Sequence, residues 1–369
     1  MRIGVPKETK VRELRVGMTP ASAREYASAG HEVLVQAGAG AGIGADDSAY
    51  EAAGATIVAS AQVVYARSEM IVKVKEPQPA ELRLLQPGQI LFAYLHLATD
   101  RTLTEGLLAS GCIAVAYETV TDDAGGLPLL APMSEVAGRL AVEVAAGCLR
   151  GPAGKGVLLG GVAGVLAARV VILGGGVVGT QAARMAAGLG AEVSVVERSL
   201  SRLRELDQLF QGRVRVCYST AAVIEAEVGD ADVVIGAALV PGASTPLLVT
   251  RAMLRRMRPR SVLIDVAIDQ GGCFETSRPT THDAPTHEVD GIIHYAVTNM
   301  PGAVPVTSSH ALNHATLPFG LALAAQGERA LRADRHLRNG LNIHRGKLTC
   351  EPVAKALQLQ AVSAQALLV

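Results

Sequence analysis

An apolar run, Val170–Leu173, leads without a break into Gly174-Gly175-Gly176-Val177-Val178-Gly179 and then into the helix-forming string TQAARMAAG. This order of strand, glycine turn and helix constrains the chain more than any other feature. Gly174 permits the tight turn, Gly176 lets the backbone approach a pyrophosphate, and Gly179 lets helix and strand pack closely. The helix start, at Val177 and Val178, then offers unpaired N–H groups to phosphate. The next strand, EVSVVE, closes on Glu197, about 20 residues further on, where a carboxylate accepts ribose hydroxyls. That charge repels a 2′-phosphate, so NAD is the expected cofactor. Arg198 beside it has two readings, a solvated surface charge or a partner for a 2′-phosphate. A second loose match, Gly40-x-Gly42-x-x-Ala45, lacks an acidic residue closing the following strand and precedes a polar helix. It reads as an ordinary turn.

Short apolar runs alternate with helical patterns through most of the chain, the signature of parallel sheets. Strands are expected at Arg2–Val5, Glu32–Val35, Met70–Val74, Gln89–Leu95 and Ile113–Tyr117. A second set is expected at Val170–Leu173, Glu192–Val196, Val214–Tyr218, Asp232–Gly236, Ser261–Ile268 and Ile292–Val297. Thr19 as N-cap, Pro20 at the first helical position and Gly30 as the stop delimit the first helix. Further helices are expected at Ser134–Leu149 and Ala311–Leu331, followed by a small-residue tail. The expected architecture is α/β, with two doubly wound domains. A Rossmann NAD-binding domain, residues 131–304, is inserted into a flavodoxin-like substrate domain made of residues 1–130 and 305–369.

Composition narrows the function classes. The 369 residues are 49% hydrophobic but only 3% aromatic, a core of small aliphatic side chains that suits covered parallel strands. The 34 basic and 34 acidic residues cancel, which leaves no electrostatic footprint for nucleic acid. A mean hydropathy of +0.30 raises a membrane reading. Arg169 and the crowded glycines interrupt the most apolar region, Gly156–Ala183, so no spanning helix is expected there. The opening string MRIGVPKETK lacks the apolar run of a secretory signal. The 5 scattered cysteines form no CxxC pair, so reduced thiols in the cytoplasm are expected.

Four polar residues stand where chemistry is expected. Arg15, just before the first helix, offers a planar fork that matches a carboxylate, although a surface role is equally open to it. Lys75 follows the apolar run Met70–Val74, on the same face as Lys73 if the strand alternation continues. His96 ends Gln89–Leu95, as either a satisfied structural histidine or an acid–base group. Asp269 ends Ser261–Ile268 and precedes Gly271-Gly272, which would let backbone come close to a substrate. Asp265, on the same face but mid-strand, reads as structural. Ligands of open α/β sheets lie outside the carboxyl ends of the strands, so these groups would converge on a cleft between the domains.

Nearly the whole chain resembles the alanine dehydrogenase family. The resemblance is carried by MRIGVPKETK…RVGMTP, VKVKEP, ILFAYLHLA, AYETV, LPLLAPMSEVAGRLA, VVILGGGVVGT, VPGA, DVAIDQGGCFETSRPTTH and NMPGAVPVTS. It implies reversible oxidative deamination of L-alanine to pyruvate and ammonia by a homo-oligomer, usually a hexamer. It implies that Arg15 and Lys75 bind substrate and that His96 and Asp269 are the acid–base residues. Cofactor contacts are implied at Ser134, Gly174–Gly179, Glu197, Arg202, Ser219, Ala238, Leu239, Val266, Ala267, Ile268, Asp269, Arg278, Val297, Thr298, Asn299 and Met300. Departures exist: the family usually has Asp at Glu197, an aliphatic residue at Arg198, lysine in some members at Arg202, and proline at Ala163. Some members bind magnesium through a glutamate and a histidine. Glu118 is retained, but Gln326 takes the histidine's place, so no metal site is carried over.

Two rivals share the domain pattern. The NAD-binding subunit of proton-translocating transhydrogenase has no substrate acid–base pair, and His96 with Asp269 argues against it. A non-catalytic NAD-binding protein could lose Arg15, Lys75, His96 and Asp269, yet all four remain.

Overall fold

A computed structural model describes residues 1–238 and 245–368. In chain order the first elements are β1 (Arg2–Val5), α1 (Pro20–Ser28), β2 (Glu32–Gln36), β3 (Thr56–Val58), β4 (Met70–Val72), β5 (Ile90–Ala93) and β6 (Ile113–Ala116). Then come α2 (Ala131–Cys148), β7 (Arg169–Leu173), α3 (Val177–Gly188), β8 (Glu192–Glu197), α4 (Leu200–Phe210) and β9 (Arg215–Tyr218). The remainder includes β10 (Val233–Gly236), β11 (Val262–Asp265), β12 (Thr286–Val289), β13 (Ile292–Tyr295), α5 (Pro305–Gln326), β14 (Leu341–His344) and β15 (Lys347–Leu348). Shorter helices fill several connections. The chain divides into two compact units: unit 1, Met1–Met133 with the chain from Val304 onward, and unit 2, Ser134–Ala303.

Unit 1 carries an 8-stranded sheet in the order β15-β14-β6-β5-β4-β1-β2-β3. Its first six strands are parallel. With the edge strand β3 set aside, the order β2-β1-β4-β5-β6 is that of a flavodoxin-like sheet. The chain reverses direction of winding between β1 and β4. Alternate residues enter two cores, Ile3, Val35, Val72 and Phe92 on one face and Leu34, Ile71 and Leu91 on the other. Burial on both faces explains the near-continuous apolar runs. Thr19 caps α1 by accepting the Ser22 N–H, and Gly30 stops it with φ +83°.

Unit 2 has the order β12-β13-β11-β10-β7-β8-β9. Except for antiparallel β12 the strands are parallel, in the doubly wound dinucleotide order, and the reversal falls between β7 and β10. Val170, Ile172, Val195 and Ile264 fill one core, and Val171, Leu173, Val234 and Leu263 the other.

Several elements differ from the sequence-based expectation. The small-residue tail is instead the β14–β15 hairpin, with β14 antiparallel to β6, and a helix at Glu351–Leu357. Five expected strands stop early, at Val72, Ala93, Ala116, Asp265 and Tyr295. The β4 strand ends at Val72 and the backbone bends at Val74–Lys75, so strand alternation does not reach the two lysines. Lys73 is fully buried, 2.8 Å from Glu81 and 3.2 Å from Glu8, while Lys75 belongs to a different cluster. Burial works against the Lys73 charge, but the two carboxylates outweigh it and hold its pKa above the ordinary value. Glu8 also accepts the Val74 N–H at 2.7 Å, which ties the chain after β1 to the chain after β4. Removing the cation leaves two buried carboxylates facing each other. Lys73→Met should therefore cost about 3–5 kcal/mol, read by denaturant unfolding followed by circular dichroism. A loss below about 1 kcal/mol would mean that this cluster does not hold the sheet edge.

Candidate active site

In unit 1 the polar groups gather at the carboxyl ends of β1, β4 and β5, where the winding reverses. This is the position at which open α/β sheets bind ligands. After β1 the chain turns at Lys10–Glu13, with Glu13 N–H donating to the Lys10 carbonyl and Arg12 at φ +63°. The following segment lies directly on the end of β4. A Cβ on Gly17 would sit 2.6 Å from the Val72 carbonyl oxygen, so only glycine allows this approach. Val16 N–H donates to Ser309 and Thr19 N–H to Asn313, both on α5.

Arg15 is thereby buried, at 2% exposure, which excludes the surface role. Its Nε and Nη2 donate to the two oxygens of Glu13 at 2.6 and 2.5 Å, and its Nη1 lies 3.1 Å from Met133 Sδ. Lys75, 9% exposed, has no hydrogen bond or ion pair to another described residue. Burial pulls its pKa down, Arg15 and Lys10 add to this, and Glu76 and Glu13 oppose it. A buried, cationic pair of this kind can bind a carboxylate and an adjacent carbonyl oxygen.

His96 lies beyond β5 in the left-handed region, φ +50°, an uncommon backbone state for a residue with a side chain. Glu118 holds it there, accepting His96 N–H at 2.6 Å and Leu95 N–H at 3.1 Å. The imidazole stacks on Tyr94, with ring centroids 5.8 Å apart and planes within 2°. Tyr94 is itself fixed by donating to the Leu129 carbonyl at 2.5 Å. The ring is thus half-exposed on a rigid base, suited to exchanging protons. Glu118, suggested by some relatives as a metal ligand, here serves the backbone.

In unit 2 the glycine loop Gly174–Gly179 joins β7 to α3 through close backbone approaches. Gly174 has φ +108°, and a Cβ there would lie 2.7 Å from the Ala237 carbonyl oxygen. One on Gly179 would lie 1.9 Å from the Gly174 carbonyl oxygen. Gly176, the N-cap of α3, meets nothing within 4 Å, which leaves room for a phosphate above the helix start. The Val177 and Val178 N–H groups open that helix. Glu197 accepts three backbone N–H groups, from Gly175, Arg198 and Ser199, each at 2.8 Å. Its carboxylate therefore braces the glycine loop as well as standing where ribose hydroxyls would be read.

Arg202 does more than the sequence suggests. Its Nε donates to the Gly175 carbonyl and its Nη2 to Thr180, each at 2.7 Å, clamping the loop from α4. Ser219 follows β9 and donates its N–H to the Glu197 carbonyl. Ala238 follows β10, and Leu239 lies outside the described residues. Val266, Ala267, Ile268 and Asp269 leave β11 in a single helical turn, Ile268–Gln270. The strand itself ends at Asp265, so Asp269 does not end it. Asp265 is fully buried and accepts the Cys273 and Phe274 N–H groups, a structural role. Gly272 is required there, since its Cβ would lie 2.7 Å from Asp265 Oδ2. Asp269 is exposed and accepts the Asn299 N–H at 3.3 Å. Val297 and Met300 are core residues, Thr298 and Arg278 are exposed, and Ser134 is half-buried on α2.

The positions that sequence reasoning missed are the supporting ones: Glu13, Glu8, Glu81, Tyr94 and Met133. Glu13 carried a signal, since residues two apart in extended chain share a side, and Glu13 and Arg15 are oppositely charged.

Unit 2 is a dinucleotide-binding domain of the dehydrogenase type. The N-terminal domain of the alanine dehydrogenase/PNT family matches residues 4–137 and its C-terminal domain residues 141–351. The chain belongs to this family. It is 56% identical to an alanine dehydrogenase of Halomonas elongata, over 100% of both chains. It is 49% identical to one of Bacillus subtilis, over 99% of this chain and 97% of the other. Among solved structures, an L-alanine dehydrogenase superposes with a TM-score of 0.94 at 52% identity, covering 97% of this chain and 99% of that one. A transhydrogenase from Sinorhizobium meliloti gives 0.83 at 26%, covering 95% and 100%.

The Arg202 clamp can be tested apart from chemistry. Arg202→Ala should weaken NADH binding about tenfold, roughly 1.4 kcal/mol, by releasing the Gly175 carbonyl. Fluorescence titration of NADH reads this, and unchanged affinity would assign Arg202 to the surface.

Proposed function

We propose that this chain catalyses the reversible oxidative deamination of L-alanine to pyruvate and ammonia, with NAD as hydride acceptor. The carrying observation is the buried Arg15–Lys75 pair at the winding reversal of unit 1, together with the glycine cradle and Glu197 of unit 2. The names of the similar proteins point the same way. Unit 1 then serves as the substrate domain and unit 2 as the cofactor domain.

The nicotinamide, when bound, supplies the acceptor for the hydride leaving the substrate Cα. The loop at Gly174–Gly179 and Glu197 would hold the cofactor, with Ser134, Ser219, Ala238, Val266–Asp269, Arg278 and Val297–Met300 as the further described residues that would line it. Arg15 orients the substrate carboxylate, and Glu13 keeps the guanidinium plane fixed while it does so. Lys75 contacts the carboxylate and, in the reverse direction, the carbonyl oxygen, where it stabilises growing negative charge. Deamination requires a base to take a proton from water and an acid to protonate departing ammonia. His96 and Asp269 fill these roles, and the Asp269 carboxylate also offsets the cationic iminium that Lys75 would repel.

The assembly is read as a homo-oligomer, in keeping with the family's usual hexamer. Exposed Val162, Val165 and Leu166, at 61%, 63% and 92%, support self-association, since such apolar groupings mark contact surfaces. The cytoplasm is the proposed location, in keeping with scattered cysteines. No helix among the described residues is long and apolar enough to cross a membrane.

The direct experiment is NAD reduction with L-alanine at alkaline pH. Growth of NADH absorbance is expected; NADH binding without it would make the chain a non-catalytic dinucleotide binder. NAD should be preferred over NADP by at least about tenfold in kcat/KM, and Glu197→Ser should narrow the gap as Arg198 meets the phosphate. Equal use of both cofactors would contradict the reading of Glu197. Asp269→Asn keeps the shape but loses charge and basicity, and should lower kcat by roughly a hundredfold or more, with NADH affinity within a few-fold. Retention of more than about half the activity would make Asp269 structural and leave His96 as the remaining acid–base group.

A further inference from the structure

The anchor in unit 1 is more than two cations. Around Lys75 stand Arg15 and Lys10, with Glu13 and Glu76 as the opposing carboxylates. Lys10 and Glu76 form their own pair at 2.5 Å. Glu76 thus acts on both Lys10 and Lys75, while Glu13 holds Arg15 and also faces Lys75. Its side chain is 0% exposed, it holds Arg15 through two donors, and it accepts the Arg15 backbone N–H at 3.1 Å.

Its placement is built in from several sides. The Lys10–Glu13 turn puts Arg12 at φ +63°, a state that a side chain tolerates at a cost. The glycine turn at Gly40–Gly42 presses on the next residue: a Cβ on Gly42 would lie 2.1 Å from the Leu14 carbonyl oxygen. On the far side Gly17 allows the chain to lie on the end of β4. The loose glycine match at Gly40–Ala45 thus has a use, which is to seat the Glu13–Arg15 segment.

We propose that Glu13 is a positioning residue of the substrate anchor: its two oxygens fix the plane of the Arg15 fork and, together with Glu76, offset the positive charge gathered around Lys75 in a buried site. The reading rests on the proposed use of this cluster for the substrate carboxylate. Burial tends to raise the Glu13 pKa, but its hydrogen bonds and attraction to Arg15, with Lys75 behind, prevail and lower it, so the carboxylate stays ionised. Two adjacent cations with that charge removed repel each other at low effective dielectric, and lysine, unlike arginine, relieves the repulsion by losing its proton.

The test separates charge from shape. Protein labelled with 13C at lysine Cε, with the Lys75 signal assigned by its loss in Lys75→Gln, gives the Lys75 titration by NMR. In Glu13→Gln the midpoint should move measurably to lower pH. Pyruvate affinity of the NADH complex should fall at least tenfold, with NADH affinity unchanged. Glu13→Asp keeps the charge but cannot span both Arg15 donors. It should leave the Lys75 midpoint in place while weakening pyruvate binding, and it stands in if the Gln variant does not fold. An unmoved midpoint in Glu13→Gln, or full pyruvate affinity in Glu13→Asp, would overturn the proposal. If the unmodified protein ignored pyruvate while the midpoint still moved, the substrate reading would fail and the role of Glu13 in the cluster would stand.

Discussion

The junction of β1 and β4 in unit 1 depends on a lysine with no access to water. Lys73 sits between Glu8 and Glu81 where β1 and β4 part, and one of those carboxylates also holds the backbone of Val74. Taking such charges out of water is unfavourable, and a buried ion pair often stabilises a fold less than apolar side chains of the same volume would. What it supplies is direction. Each partner must be in place or another charge is stranded, so the two chain segments have one arrangement available. The Lys75 bend and the Arg15 segment are laid on that arrangement.

The two units solve a similar problem by opposite means. At the winding reversal of unit 2 the site is made by removing side chains: Gly174 and Gly179 bring backbones together, and Gly176 leaves a hollow over a helix start. At the reversal of unit 1 it is made by packing charged side chains tightly. The difference fits the two proposed ligands. A pyrophosphate is large and takes many backbone N–H groups, whereas a small carboxylate needs a few strong, well-aimed donors.

Legibility in the sequence followed the range of the interaction. The glycine roles, the Thr19 cap and most parallel strands were readable because each depends on neighbours in the chain. The β14–β15 hairpin was not, since LNIH carries no strong apolar signal and gains its order by pairing with β6, over 200 residues away. Strand alternation misplaced Lys73 and Lys75 because the backbone bends after Val72, and a bend of that kind is set by Glu8, far back in the chain. Arg202 was readable as a residue near the cofactor but not as a clamp. The family resemblance named residues that touch ligands. It said nothing of Glu13 and Tyr94, which hold Arg15 and His96 in place, and it offered Glu118 as a metal ligand rather than as the acceptor of the Leu95 and His96 N–H groups.

The backbone of His96 carries a further consequence. A left-handed residue with a side chain stores strain that glycine would not, and Glu118 is needed to keep it. At this position, then, resistance to heat and turnover are in conflict. A lineage released from the need for turnover would drift toward glycine or asparagine here and gain robustness as it lost activity. On the proposed function, the strain at His96 is the cost of presenting its imidazole.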